Sequence, residues 1–259
     1  MKEETIDKLL EFFLKEHEEY SKIEIPNSVD DKRNLLKEII NLRDPVPVPR
    51  KILELEDHLL EIELWEKGIV SALDMKEVDK NISIYFGDIT TIKADGIVDA
   101  GNETGLGCFI PTHHCIDNTI HTSAGIRLRL ECFKRLKGRK LKTGELLICK
   151  GYNLPCKYVI TTVGPRVFRN VTVENERDLK KCYENAMDYA IKHKWKTIVF
   201  PCISTGFFGY PIEKARIVAV HTIKSILKKH NIKVVFSVYS NEDYEKYMEL
   251  FPKEETSQE

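Results

Sequence analysis

The sequence predicts an α/β protein in which helices cover a largely parallel or mixed sheet, preceded by a helical segment. From about residue 80 onward, short β-rich runs alternate with helical stretches, a pattern typical of a sheet with helices on its faces. Before residue 80, apolar residues recur at helical spacing instead. The chain has 259 residues, of which 42% are hydrophobic, so it is long and apolar enough to fold around a core.

Residues 1–79 are predicted to form a helical N-terminal extension. Apolar residues recur at i, i+3 and i+4 over residues 6–13, 35–40 and 52–62, which predicts three helices. Between the second and the third, the alternating prolines of residues 45–49 fix the backbone and remove hydrogen-bond donors. This segment is therefore expected to be an extended connector.

Residues 80–259 are predicted to form the α/β domain. Strands are expected over residues 82–86, 96–100, 146–149, 158–163, 197–200 and 234–239. Helices are expected over residues 122–136, 179–193 and 212–230, with a last one near residues 242–250. Ligands of such sheets bind beyond the carboxyl ends of the strands, so the loops there are candidates for a site.

Composition narrows the class of protein. Lys and Arg number 40 against 41 Asp and Glu, so the net charge of −1 provides no field that would attract nucleic acid or an anionic membrane. No apolar run approaches the roughly 18 residues of a membrane helix, and the polar start of the chain is no secretory signal. Seven cysteines, an odd number, indicate free thiols in a reducing compartment. A cytoplasmic protein without nucleic-acid or membrane partners is expected.

Two predicted strand ends carry side chains that suit a nucleotide. Asp88 and Ile89 follow the first strand, where a carboxylate can accept hydrogen bonds from an exocyclic amine such as that of adenine. Asn102 ends the sequence Asp-Ala-Gly-Asn at residues 99–102, in which small residues admit a ligand and the amide suits sugar hydroxyls. Ordinary turns are the alternative interpretation of both segments.

A third loop lies between the strand at 197–200 and the next helix. It contains Ser204, Thr205, Gly206, Phe207 and Phe208. Such residues can turn several backbone N–H groups toward one point, next to a helix N-terminus, so a phosphate cradle is predicted. No Gly-Lys-Ser/Thr sequence follows, so magnesium-dependent triphosphate hydrolysis is not indicated. A glycine-rich connector is the alternative.

The most specific segment is Gly-Cys-Phe-Ile-Pro-Thr-His-His-Cys-Ile-Asp-Asn, at residues 107–118. Cys108 and Cys115 with one of the two histidines between them, His113 or His114, are ligands that zinc prefers. Three protein ligands leave one position open, as in catalytic zinc sites, whereas a structural site needs a fourth. That fourth ligand would be His114, His121 or Cys132. Buried cysteines beside surface histidines are the alternative.

Together and in this order, these motifs make residues 80–252 resemble a macrodomain. More narrowly, the chain resembles the zinc-containing macrodomains found beside a sirtuin-type ADP-ribosyltransferase, whose N-terminal extension its first helices also resemble. The resemblance implies a three-layer α/β/α sandwich with a mixed central sheet. It implies a zinc-dependent, glycosidase-type hydrolase that removes mono-ADP-ribose from protein side chains. The implied partners are ADP-ribose and an ADP-ribosylated protein, with a lipoyl-carrier protein modified by a sirtuin-type transferase as one candidate.

The resemblance also assigns roles to individual residues. It implies that Asp88 and Ile89 hold the adenine, that Asn102 meets the distal ribose, and that the backbone of residues 204–208 wraps the diphosphate. Phe208 matches an aromatic that lies against the distal ribose. The implied Zn²⁺ ligands are Cys108, His113 and Cys115. The implied catalytic residues are Asn102 together with Asp117 and Asn118, which match positions beside the metal.

One departure from the family favours a second function. Where macrodomains carry Asn-Ala-Ala-Asn, this chain carries Asp99-Ala100-Gly101-Asn102. A carboxylate near a diphosphate is expected to weaken binding or alter the substrate, and it lacks the two donors of an amide. The alternative is therefore a non-catalytic ADP-ribose reader with structural zinc. Asp117 would also suit a helix N-cap, and His121 an ordinary hydrogen-bonded position.

Overall fold

The structure, a computed structural model, describes residues 2–111 and 113–252. Within these residues the central sheet has seven strands: β1 (Val70–Ser71), β2 (Ile82–Phe86), β3 (Ile92–Gly101), β4 (Leu146–Lys150), β5 (Cys156–Val163), β6 (Thr197–Phe200) and β7 (Lys233–Val238). The order is β2-β7-β6-β3-β5-β4, and β1 pairs with β3 beside this path. Only the pairing of β4 with β5 is antiparallel, so this sheet is mixed, as predicted.

The strands lie where continuous apolar runs predicted them. Every residue of β6 and β7 is buried, as expected for central strands that are covered on both faces. The prediction gave the bounds of β2 and β6 correctly. It placed the start of β3 four residues late, because Lys93 and Asp95 interrupt the apolar run. It missed β1, whose two residues carry no periodicity.

Helices cover both faces of the sheet and complete three layers. On one face lie α4 (Ile116–Ala124) and α5 (Ile126–Leu136), which pack through Ile120 and Leu128. On the other face lie α6 (Val173–Lys192), α7 (Ile212–Leu227) and α8 (Asn241–Met248). Their buried side chains share a core with one face of the sheet. The predicted α/β/α sandwich is confirmed.

The prediction of one helix over residues 122–136 was wrong. Gly125 separates α4 from α5 with a φ of 87°, a conformation that favours glycine. A Cβ atom at this position would lie 3.0 Å from Oε2 of Glu56, so glycine also permits the close approach of the N-terminal extension. The start of α4 lies six residues earlier than predicted because the thiol of Cys115 caps the helix.

The N-terminal extension contains the three predicted helices, α1 (Lys2–Phe13), α2 (Val29–Leu42) and α3 (Arg50–Lys67). They share an apolar core that includes Ile126 of α5. The predicted boundary at residue 79 stays a prediction, and residues 253–259 of the predicted domain lie outside the described residues. In the described part of the chain, no helix has the length and apolar character needed to cross a membrane.

Candidate functional site

A cavity of about 830 Å³ opens at the carboxyl ends of the parallel strands, where ligands of such sheets bind. The ends of β2, β3, β5, β6 and β7 all contribute to its wall. Twelve of the thirteen site residues predicted from the sequence line this cavity: Asp88, Ile89, Asn102, Cys108, His113, Cys115, Asp117, Ser204, Thr205, Gly206, Phe207 and Phe208. Asn118 does not.

Asp88 provides an ionised acceptor at one end of the cavity. Its Oδ1 atom accepts hydrogen bonds from the Thr90 amide and hydroxyl at 2.9 and 2.7 Å. Its Oδ2 atom accepts one from Lys67 at 2.9 Å. Although burial opposes ionisation, the hydrogen bonds from Thr90 and Lys67 hold the pKa of Asp88 below its ordinary value. Lys67 is the last residue of α3, so the extension reaches this end of the cavity.

The loop after β6 presents free backbone donors. Ser204 has a φ of 68° and its carbonyl accepts from the Tyr210 amide at 3.0 Å, which bends the segment between them outward. Among described residues, the N–H groups of Gly206, Phe207 and Phe208 have no protein acceptor. Because α7 begins four residues after Phe208, its dipole adds positive potential. This arrangement suits a bound anion.

Cys108, His113 and Cys115 form one group on the wall of the same cavity. Their ligand atoms all lie within 4.8 Å of one another, and the Cys108 Sγ atom is 3.4 Å from Nδ1 of His113. The centroid of the His113 ring lies 6.2 Å from that of the Phe207 ring, so this group is close to the loop after β6. Burial raises the pKa of the Cys115 thiol to about 12. Metal binding there must therefore release a proton.

None of the three candidate fourth ligands joins this group. His114 lines the cavity without belonging to the group, and the Cys132 Sγ atom lies 3.4 Å from that of Cys149. His121 packs against Asp99 and Asp117 instead. Within residues 2–111 and 113–252, no fourth Cys, His, Asp or Glu completes the group. These three side chains could hold a metal ion and leave one tetrahedral position for another ligand.

Asn102 holds Asp117 beside this group. The Asn102 Nδ2 atom donates to Oδ2 of Asp117 at 2.9 Å and to the Gly107 carbonyl at 3.0 Å. Cys115, and not Asp117, is the N-cap of α4, so the N-cap interpretation of Asp117 was wrong. Burial raises the pKa of Asp117 to about 6, while Arg129 opposes the rise. Asp117 is therefore an anchored carboxylate that can take up a proton close to neutral pH.

Asp99 lies beneath the cavity and not beside a diphosphate. Its side chain is fully buried, accepts a hydrogen bond from Thr161 at 3.1 Å, and faces Asp117 and His121. Burial and the Asp117 carboxyl raise the pKa of Asp99 well above its ordinary value. The sequence placed this carboxylate near a diphosphate, where it would weaken binding or alter the substrate, whereas the structure buries its side chain away from the residues that line the cavity.

Asn118 is also displaced from its expected place. The sequence predicted a catalytic residue that holds a hydroxyl or water, but the Asn118 side chain is fully buried beneath the Cys–His–Cys loop. Its Nδ2 atom donates to the Ile110 carbonyl at 3.3 Å, and its Oδ1 atom accepts from Asn41 at 3.1 Å. The helical turn that brings the buried Asp117 to the cavity wall points the next residue toward the extension.

Sequence reasoning missed two cations at the cavity. Arg166 lines it and lies 4.5 Å above the Phe208 ring. Because Arg166 follows β5 at the carboxyl end of a parallel strand, the rule that placed Asp88 and Asn102 would also have indicated it. Lys67 gave no local signal, because it is 21 positions from Asp88 in the sequence and only the fold brings the two side chains together.

Comparison with known proteins shows which family this chain is similar to. The family model described as Macro domain matches residues 98–219. A protein-ADP-ribose hydrolase of Staphylococcus aureus (strain MSSA476) is 40% identical over 233 residues, which cover 88% of this chain and 87% of the relative. One of Treponema medium is 37% identical over 250 residues, covering 93% and 96%. A Trypanosoma brucei macrodomain in complex with ADP-ribose superposes with a TM-score of 0.64 at 27% identity, covering 82% and 94%.

Proposed function

This chain belongs to the macrodomain family, and on that premise we propose that it hydrolyses mono-ADP-ribose from modified protein side chains, with zinc as its cofactor. One observation carries the proposal: the cavity brings together Asp88, the free N–H groups of the loop after β6, the Cys–His–Cys group and Asp117. The bacterial relatives named protein-ADP-ribose hydrolase support the activity.

The cavity residues bind and orient the nucleotide. Asp88 accepts a hydrogen bond from the adenine amine, and the N–H groups of residues 206–208 bind the diphosphate. Arg166 lies on the same wall and offsets its negative charge. In this order, the distal ribose would lie between Phe208 and the Cys–His–Cys group. The bond to the protein side chain then lies next to Asp117.

The donor set fits zinc. Two thiolates and one imidazole within 4.8 Å of one another are soft and borderline ligands, which Cys108, His113 and Cys115 would supply. Zinc supplies Lewis-acid chemistry when bound. Asp117, fixed by Asn102, takes the proton from the attacking water or ribose hydroxyl. Its pKa of about 6 leaves it ionised at neutral pH and still basic enough for this role.

The alternative function, an ADP-ribose reader with structural zinc, lacks its two supporting features. A structural zinc site needs a fourth protein ligand, and the described residues supply three. Asp99, which favoured the reader, does not line the cavity.

The resemblance also indicates which protein carries the ADP-ribose. We propose a lipoyl-carrier protein modified by a sirtuin-type transferase, because the chain resembles the zinc-containing macrodomains found beside such transferases.

Replacing one thiol tests the function. We expect Cys108→Ala to abolish release of ADP-ribose from a mono-ADP-ribosylated protein while ADP-ribose still binds, as measured by calorimetry. Cys182→Ala is the matched control, because this thiol is buried on α6 with the Val163 carbonyl as its partner, away from the cavity. A Cys108→Ala variant with full activity would refute the metal-dependent mechanism.

A further inference from the structure

We propose that the N-terminal extension is part of the metal site, with Asn41 as a positioning residue that holds the Cys–His–Cys loop through Asn118. The inference rests on the proposed function, because it concerns the zinc ligands that function requires. Three sets of contacts carry it.

The first set is an amide relay from α2 to the loop. The Nδ2 atom of Asn41 donates to Oδ1 of Asn118 at 3.1 Å, and Nδ2 of Asn118 donates to the Ile110 carbonyl at 3.3 Å. The same carbonyl accepts from the His113 amide at 3.1 Å. Asn41 thus fixes the orientation of the Asn118 amide, together with the Thr122 hydroxyl, which donates to the same Oδ1 atom at 3.3 Å. Asn118 in turn holds the Ile110 carbonyl, to which the His113 amide also donates.

The second set joins Asn118 to another ligand. Its backbone N–H donates to the Cys115 Sγ atom at 3.4 Å, a contact that stabilises the thiolate form. Both Asn41 and Asn118 are 1% exposed or less, so neither amide contacts bulk water. A disturbance at Asn41 therefore reaches two of the three ligands.

The third set ties the end of α2 to the start of the loop through Arg129. Its Nη1 atom donates to the Ile40, Asn41 and Arg43 carbonyls at 2.8–3.1 Å, while Nε donates to the Leu106 carbonyl at 2.8 Å. The guanidinium also lies 4.5 Å above the Phe109 ring. The buried Arg129 side chain thus binds carbonyl groups at the end of α2, the Leu106 carbonyl before Cys108 and the Phe109 ring after it. These two segments are therefore fixed relative to each other.

Zinc affinity, measured by competition with a chromogenic chelator, tests this inference directly. Residues that orient metal ligands typically contribute 10- to 100-fold in metal affinity or activity, so we expect Asn41→Ala to weaken zinc binding by about that factor. Asn41→Asp keeps the shape but removes the donor and should act alike. ADP-ribose affinity should stay unchanged in both variants, because Asn41 does not line the cavity. The same binding measurement serves as the control that each variant is folded.

Asn153→Ala is the matched control. Its amide also joins the extension to the sandwich, donating to Asp57 at 2.9 Å and to the Ala124 carbonyl at 3.1 Å, but it does not contact the loop. Its zinc affinity should equal that of the unaltered protein. In the Asn118→Ala background, Asn41→Ala should cause no further loss, since the relay is already broken.

The outcomes separate the two proposals. If the unaltered protein binds no zinc or releases no ADP-ribose, the proposed function fails. If it binds zinc and Asn41→Ala binds it equally well, or if Asn153→Ala weakens it as much, only the positioning role of Asn41 is refuted. Additive losses in the double variant would also overturn the relay.

Discussion

Asp99→Asn is expected to make the stability of the protein less dependent on pH. Asp99 is fully buried against Thr161, Asp117 and His121, and its pKa is raised by burial and by the Asp117 carboxyl. Burial lowers the pKa of His121 to about 3, so this imidazole supplies no charge that would favour an ionised Asp99. A protonated Asp99 side chain resembles an asparagine in shape, and both can donate a hydrogen bond to the Asp117 carboxylate.

The size of this pH dependence follows from the difference in pKa of Asp99 between the folded and the unfolded protein. In the unfolded chain its pKa returns to about 3.9, so above this pH the folded protein binds one more proton than the unfolded chain. Stability then falls as pH rises, by about 1.4 kcal/mol per pH unit, until the folded-state pKa is reached. Asp99→Asn removes this dependence. Its free energy of unfolding relative to the unaltered protein should therefore rise with pH above about 4, by at most about 1.4 kcal/mol per pH unit.

Urea unfolding of chelated protein over a pH series measures this difference without a contribution from metal release. Asp95→Asn, on the same strand, should behave oppositely. Although burial opposes the effect, Lys157 and the Lys196 amide hold the pKa of Asp95 below its ordinary value. Asp95→Asn should therefore be less stable than the unaltered protein at pH 6, and the gap should close as pH falls below about 4. A difference for Asp99→Asn that is constant with pH would refute the reasoning.

Three further changes follow from the geometry of the site. Gly164→Ala would place a Cβ atom 1.9 Å from Oγ of Ser204, so we expect a loss of about 1–3 kcal/mol in stability and weaker ADP-ribose binding. Thermal unfolding and calorimetry measure the two effects, and an unchanged affinity would contradict this close contact between Gly164 and Ser204. Because the pKa of Cys115 is raised to about 12, zinc affinity should increase about tenfold or more per pH unit between pH 6 and 8, and a flat chelator-competition profile would exclude thiolate ligation. Lys67→Ala should raise the pKa of Asp88 toward its ordinary value, as measured by NMR titration, and should change stability by less than about 1 kcal/mol because the ion pair is largely exposed to solvent. An unshifted pKa of Asp88 would show that the ion pair does not form.

The sequence predicted those parts of the molecule whose signals are local. The strands β2 and β6 are short runs rich in β-branched and aromatic residues, bounded by polar or turn residues, so both of their ends were predicted correctly. The residues at strand ends were predicted as site residues because parallel strands bring their carboxyl ends to one edge. The close spacing of Cys108 and Cys115 likewise predicted that they meet around one of the two histidines between them, and the resemblance to the family indicated His113.

The contacts between the extension and the site could not be predicted in this way. Asn41 and Asn118 are 77 residues apart, and neither shows a pattern that links them. The depth of Asp99 depends on which face of β3 is covered by α4, and a one-residue change of register would have turned its side chain to the opposite face. Such placements follow from packing between elements, which a single sequence does not specify locally.

Release of free ADP-ribose from a mono-ADP-ribosylated protein most directly tests whether the cavity and the Cys–His–Cys group act together. The protein is assayed as purified, after chelation, and after zinc is restored, with ADP-ribose binding followed in parallel. We expect release to stop on chelation and to return with zinc, while binding persists throughout. Undiminished release by fully chelated protein, or no release by zinc-loaded protein that binds ADP-ribose, would contradict a zinc-dependent hydrolase.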